Sequence, residues 1–208
     1  DMLTLQDEIA AEVVAQIDPE ILLIEAKRAA SRPPTDASAY DLVLRAVPLI
    51  HRLERQPFLE AGELLRRAIQ QEPDYAAAHA WYAYYHVFLV GQDWAEAPAE
   101  ALKAAGRAAE RAITLDPQDA RGLTIAGHVR AFLHRKPREA NVLHERALAL
   151  NPNLAMAWGL SATSLTYSAE FEEATRRFDR YKSLSPLDPH AFFYDGARIT
   201  LEMLRHDY

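Results

Sequence analysis

The chain contains no cysteine. Disulfide staples and thiolate-held metals are excluded with it. The absence suits a reducing cytoplasm and leaves a bacterial periplasm open. Glycine is scarce too, seven residues in 208. Loops that cradle phosphate need clustered glycines, and these are scattered. No G-x-G-x-x-G, Walker or G-x-S-x-G pattern occurs. An excess of positive charge is also missing: 23 Lys and Arg face 30 Asp and Glu, a net charge of −7. That argues against a general nucleic-acid binder, which presents a basic surface. No apolar run is long enough to span a bilayer. The longest, "AWYAYYHVFLVG" at 80–91, falls well short. No signal peptide is legible, and Asp1 opens the chain without a basic stretch, which reads as a piece of a longer protein.

What is present is alanine, helix-favouring composition and repetition. "ERALALNPNLAMAW" (145–158) has a near copy in "ERAITLDPQDARGL" (110–123), and weaker ones at 66–79 and 179–192. Pro73, Pro117, Pro152 and Pro186 anchor the copies, at spacings of 44, 35 and 34 residues. Twelve before each anchor stands Ala61, Ala105, Ala140 or Ala174; five before, Ala68, Ala112, Ala147 or Tyr181. Six after stands a bulky His79, Leu123, Trp158 or Phe192; ten after, a small Ala83, Gly127, Ala162 or Gly196. Small residues at fixed places let two antiparallel helices approach, and bulky ones fill between them. The proline turns the residue before it away from α geometry and ends a helix. Asp74, Asp119, Asn153 and Asp188 then stand ready to cap the next one. Such a unit cannot bury its apolar face alone, but stacked units can.

This small–bulky–small pattern with a terminal proline resembles the tetratricopeptide repeat, over roughly residues 39–208. The resemblance implies an all-α, right-handed α-solenoid of about four and a half repeats. Helical pairs are expected at about 39–54 and 58–71, 75–90 and 98–115, 119–134 and 137–149, and 153–167 and 170–183, with a single helix at about 188–204. Departures are ten or so extra residues around "GQDWAEAPAE" (91–100), Pro48 inside the first helix, and a last unit without its second helix. Trp94 in the long loop either folds back onto its helix pair or stands exposed for recognition.

Upstream, Leu5, Ile9, Val13 and Ile17 make one stripe of an amphipathic helix. Asp18-Pro19 starts a second helix to about Ala30, and "SRPPTDAS" (31–38) is a polar linker. The predicted organisation is thus a helical segment 1–30, a linker 31–38 and a repeat domain 39–208. "LQDEIAAEVVAQIDPEI" (5–21) followed by "RPPTDASAYDLVLRA" (32–46) is similar to the join, in certain bacterial signalling proteins, between a TolB-like segment and tetratricopeptide repeats. That similarity implies an output domain further upstream, a nucleotide cyclase or a winged-helix DNA-binding domain.

Chemistry is harder to find. His79 and His86 are seven apart, His128 and His134 six apart, neither at metal-ligand spacing with carboxylate support. His79 is expected in a packing position. His144 and Glu145 are adjacent, so they point to different faces and form no dyad. Two basic groups, Arg130/Arg135/Lys136/Arg138 and Arg176/Arg177/Arg180/Lys182, read as solvated faces beside carboxylates such as Glu172 and Glu173, or else as a docking patch for an acidic partner. No nucleophile–base or metal constellation appears, so no enzyme, cofactor or metal is expected in this piece.

In the family resembled, the first helix of each pair lines a concave groove. The matching positions here give Tyr84, Phe88, Arg121, His128, Phe132, Thr163, Tyr167 and Phe193, an apolar and aromatic surface. The Lys, Asn and Arg clamp of the chaperone-binding subfamily is absent, with Tyr84, His128 and Thr163 among the residues in its places. The expectation is a protein-binding module for a peptide segment or a neighbouring domain, without nucleic-acid binding or membrane insertion. The alternative is self-association through a bare last helix near Phe192, Ile199 and Met203.

Overall fold

A computed structural model of the chain describes residues 37–206. The readings placed on 1–36 lie outside the described residues. Within them are nine α-helices and no strand: α1 Ala39–Arg52, α2 Arg55–Gln71, α3 Ala76–Gly91, α4 Pro98–Leu115, α5 Ala120–His128, α6 Pro137–Leu150, α7 Ala155–Tyr167, α8 Phe171–Leu184 and α9 Ala191–His206. A single π turn, Val129–Leu133, extends α5. None of the described helices is long and apolar enough to cross a membrane.

Each boundary has a local cause. Ser38 opens α1 with a capping box: its hydroxyl accepts the Asp41 N–H, and the Asp41 carboxylate accepts the Ser38 N–H at 3.1 Å. The second helix of each pair stops before its anchor proline, with Glu72, Asp116, Asn151 and Ser185 as C-caps in non-helical conformations. The expected caps are only half realised. Asp119 accepts the Arg121 N–H at 2.9 Å, and Asp188 accepts the His190 N–H at 2.7 Å. Tyr75 and Leu154 hold the cap positions of α3 and α7 without side-chain bonds. Asp74 is drawn away to Arg111, and the Asn153 N–H goes to the side chain of Asn151, closing the turn instead.

Two layers result. The first helices of the pairs, α1, α3, α5, α7 and α9, pack side by side as an inner row, and each of α2, α4, α6 and α8 packs on its own first helix and on the next. The small columns are the contact surface: Ala61, Ala105, Ala140 and Ala174 are completely buried. Glycine serves close approach. A Cβ on Gly62, Gly127 or Gly159 would lie within 2.6 Å of the rings of Tyr85, His144 and Tyr194 respectively. Turning is left to other residues: Leu53, Asp93, Arg135 and Ala169, one in each turn within a pair, hold positive φ, and no glycine does. Trp94 folds back, its ring edge-on to Phe58 of α2 at 5.1 Å, so the long loop of the second pair packs on the first.

Candidate functional site

The inner row owes its character to α3 and α7, which carry no Asp, Glu, Lys or Arg and are buried over most of their length. The structure gathers the aromatic residues of this row and then covers most of them. Tyr84, Phe88, His128 and Thr163 are buried, a correction to the expectation of an open aromatic groove. The Thr163 hydroxyl turns back to the Gly159 carbonyl at 3.0 Å, as Thr166 does to Ala162, so neither hydroxyl addresses a ligand. Arg121 is half-buried with its guanidinium 5.8 Å from the Trp81 ring centroid. Phe132 and Tyr167 remain exposed, at 38% and 41%, their rings 6.4 Å apart. The π turn sets Phe132 there, stacked on His128 at 5.8 Å.

What fills the inner face is the start of α9. His190, buried, lies flat on Phe193 at 5.2 Å and on His51 of α1 at 4.8 Å. Phe88 packs against both His190 and Phe193, at 5.3 and 5.1 Å. The Tyr84 hydroxyl is 3.4 Å from His190 Nδ1, placed to donate. Sequence spacing put Phe193 on the inner side of its helix but could not show that α9 reaches back across the row to α3 and α1.

The imidazoles here are neutral groups in an apolar setting. Burial, aided by the charge of Arg121, lowers His51 to about 4. Burial alone takes His128 to about 4. Burial, with repulsion from His51 and His128, takes His190 to about 2. Both ring nitrogens of His128 and Nε2 of His190 have no hydrogen-bond partner. Burial likewise raises the Tyr84 and Tyr194 phenols.

One serine–histidine pair escaped the sequence reading. His144 Nε2 is 2.9 Å from Ser164 Oγ, and both residues are completely buried. Ser164 donates to the Leu160 carbonyl at 3.1 Å, so the imidazole N–H is left to donate to the serine. That arrangement gives a structural lock without an activated nucleophile, and no substrate can reach it. His79 donates to the Pro73 carbonyl at 2.8 Å, just as the Trp158 indole does to Pro152 at 2.8 Å, in the same repeat position. Among the described residues, no group of three or more His, Asp or Glu is placed to hold a metal ion.

The basic groups hold carboxylates. Arg130 pairs with Glu110 and Glu139, Lys136 with Glu139, and Arg176 with Glu173. Arg177 bridges Glu173 and Glu145 across two repeats, its guanidinium 5.9 Å from the Trp158 ring centroid. The other conspicuous surface is α9. Phe192, Ile199 and Met203 are more than half exposed, and an apolar hollow of about 500 Å³ runs beside Ile199, Glu202 and Met203.

Against solved structures, this succession of paired helices superposes on a thermophilic TPR protein of Thermus thermophilus. The TM-score is 0.64 at 19% identity, covering 86% of this chain and 89% of that one. The fold is a tetratricopeptide solenoid. A second structure, titled MamA MSR-1 C2, is 16% identical with a TM-score of 0.46, over 88% of this chain and 97% of that one. Among curated sequences, 122 residues are 29% identical to "Putative adenylate cyclase 3" of Rhizobium meliloti (strain 1021), 59% of this chain. The chain spans only 21% of that protein's length. No family model matches the chain.

Proposed function

We propose that this solenoid is the protein-binding, regulatory module of a bacterial signalling protein, and that its own residues carry no catalytic step. The observation behind the reading is the pair Phe132 and Tyr167, two large rings left exposed side by side on the inner row of an otherwise filled face. Paired aromatic rings suit an apolar helix or an extended segment with one or two aromatic anchors. The partner is a protein segment or a neighbouring domain of the same chain. The acidic net charge speaks against nucleic acid, and the lack of cysteine suits the cytoplasm. Probing an array of helical and extended peptides with the wild type and with Phe132→Ala plus Tyr167→Ala tests the site. The variant should keep the wild type's helical circular dichroism, and the expected result is loss of the wild-type signals. Unchanged binding overturns the assignment.

The similarity to part of an adenylate cyclase supports an upstream cyclase as the output domain, with the winged-helix type as the alternative. The module would then act by binding two states of that domain unequally. Reading the intact gene upstream of Asp1 decides it, and an intact chain with neither domain ends this part of the proposal.

The bare face of α9 favours a second reading, self-association. Gly196 has nothing near the position of a Cβ, whereas the equivalent Gly127 lies under His144 of the covering helix. A second copy presenting a helix there would complete the pair. Light scattering over a range of concentrations should show a growing dimer that Ile199→Glu abolishes. A strict monomer refutes it.

A further inference from the structure

The start of α9 is held against the beginning of the solenoid by side chains rather than by helix packing. Among the described residues, α9 packs as a helix on α7 and α8, and no extensive helix contact joins it to α1 or α3. What joins them is the stack of His51 on His190, with interplanar angle 17°, and the aromatic neighbours Tyr84 and Phe88. The surroundings are set against a proton. Arg121 is the charge that acts on His51, and it is positive. From α5, His128 faces the cluster, and from α3 come Trp81, Tyr84 and Phe88, all neutral. From α9 itself come Phe192, Phe193 and Tyr194. The nearest carboxylate, Asp188, accepts the backbone N–H of His190, and Tyr181 and Lys182 of α8 act on it. Among the described residues, no carboxylate makes a hydrogen bond or ion pair with either stacked ring.

We propose that the His51–His190 stack is an acid-released latch: protonation of the two imidazoles parts the start of α9 from α1 and α3 and opens the inner face of the solenoid. A proton on either ring places a cation against the other imidazole, and on His51 beside Arg121 as well, with His190 almost wholly buried. The gain from the Phe193 face is small beside the cost of burying an unpaired charge. Once parted, both rings reach water. Opening also bares Tyr84 and Phe88. The latch thus regulates the face assigned above to binding, but its movement needs no ligand.

Hydrogen exchange of the 208-residue chain between pH 7.5 and 4.5, corrected for intrinsic rates, tests it. Each imidazole that gains a proton on opening steepens the opening equilibrium by up to about tenfold per pH unit below its free value near 6.5. Amides at 190–195 and at the end of α1 should therefore lose up to about a hundredfold protection per pH unit, while α6 to α8 stay protected. His51→Phe with His190→Phe keeps two stacked rings and removes both protons. It should fold as judged by its helical circular dichroism and should show no selective acid opening. If the double variant does not fold, His51→Gln and His190→Gln singly should each halve the logarithmic pH slope. Loss of protection by all helices together in the wild type, or an unchanged slope in the variants, overturns the latch. Because no partner is present, either outcome leaves the binding proposal to its own test.

Discussion

A glycine in this chain means proximity. Gly127 lies so close under His144 that a methyl group there would stand 2.6 Å from the ring, and His144 is pinned in turn to Ser164. Gly127→Ala should lower stability by about 1–3 kcal/mol, the usual cost of overpacking a filled core. Gly196→Ala, in open space on α9, should raise it by up to about 1 kcal/mol through helix propensity alone. Urea midpoints of the two variants check the contrast. The buried histidines of the inner layers are neutral rings. His51, His86 and His128 sit at about 4 and His144 at about 3, all lowered chiefly by burial. Between pH 6.5 and about 4 the unfolded chain binds protons that the folded chain refuses, so stability falls as pH falls through that window. Above pH 7 these groups contribute no further change. Urea titrations at pH 7.5, 6 and 5 should show a midpoint that drops at each step, most steeply below 6.5. The sequence made Gly127 and Gly196 legible as small positions, whereas His79, expected to pack, is only partly buried and bonds to the Pro73 carbonyl. It did not show the burial of His128 or the bond from His144 to Ser164, because contacts between units depend on how far each unit rotates on the last.

At the scale of elements, the helices were almost entirely legible. Proline anchors and alanine columns predict the ends of α2, α4, α6 and α8 to within a residue or two, because a residue before proline cannot continue the helix. The π turn at Val129–Leu133 was not legible. Nothing in "VRAFL" departs from helical pattern, and the wider turn answers to the packing of Phe132 on His128. The turns within pairs carry a cost that composition foreshadowed. With few glycines, left-handed positions fall to Leu53, Asp93, Arg135 and Ala169. Ala169 has φ 60 and is exposed, so Ala169→Gly should stabilise the fourth pair by about 0.5–1 kcal/mol, since only the Cβ penalty is removed. A rise in thermal midpoint checks it. A fall would mean that the alanine methyl packs in a way its exposure does not reveal.

For the whole molecule, the residues expected to line a groove sit on the inner row of helices, and half of them are buried. Tyr84, Phe88 and His128 carry the inward spacing that sequence can read, and the sequence could not say that α9 returns to meet them. The contact between Tyr84 and His190 joins positions 106 apart, whereas an ordinary repeat touches only its neighbours. Ending the chain at Pro186 should therefore speed hydrogen exchange at the far end of α1 as well as in α7 and α8. Unaltered exchange in α1 would show that the long-range contact is idle. There is also a consequence for the repeat number. An open array can gain or lose a unit at little cost, because each join is alike. Here His51 and His190 meet only at the present count of units. A duplication or deletion of about 34 residues in the middle would carry the two rings past each other, so selection on the stack would hold the copy number fixed.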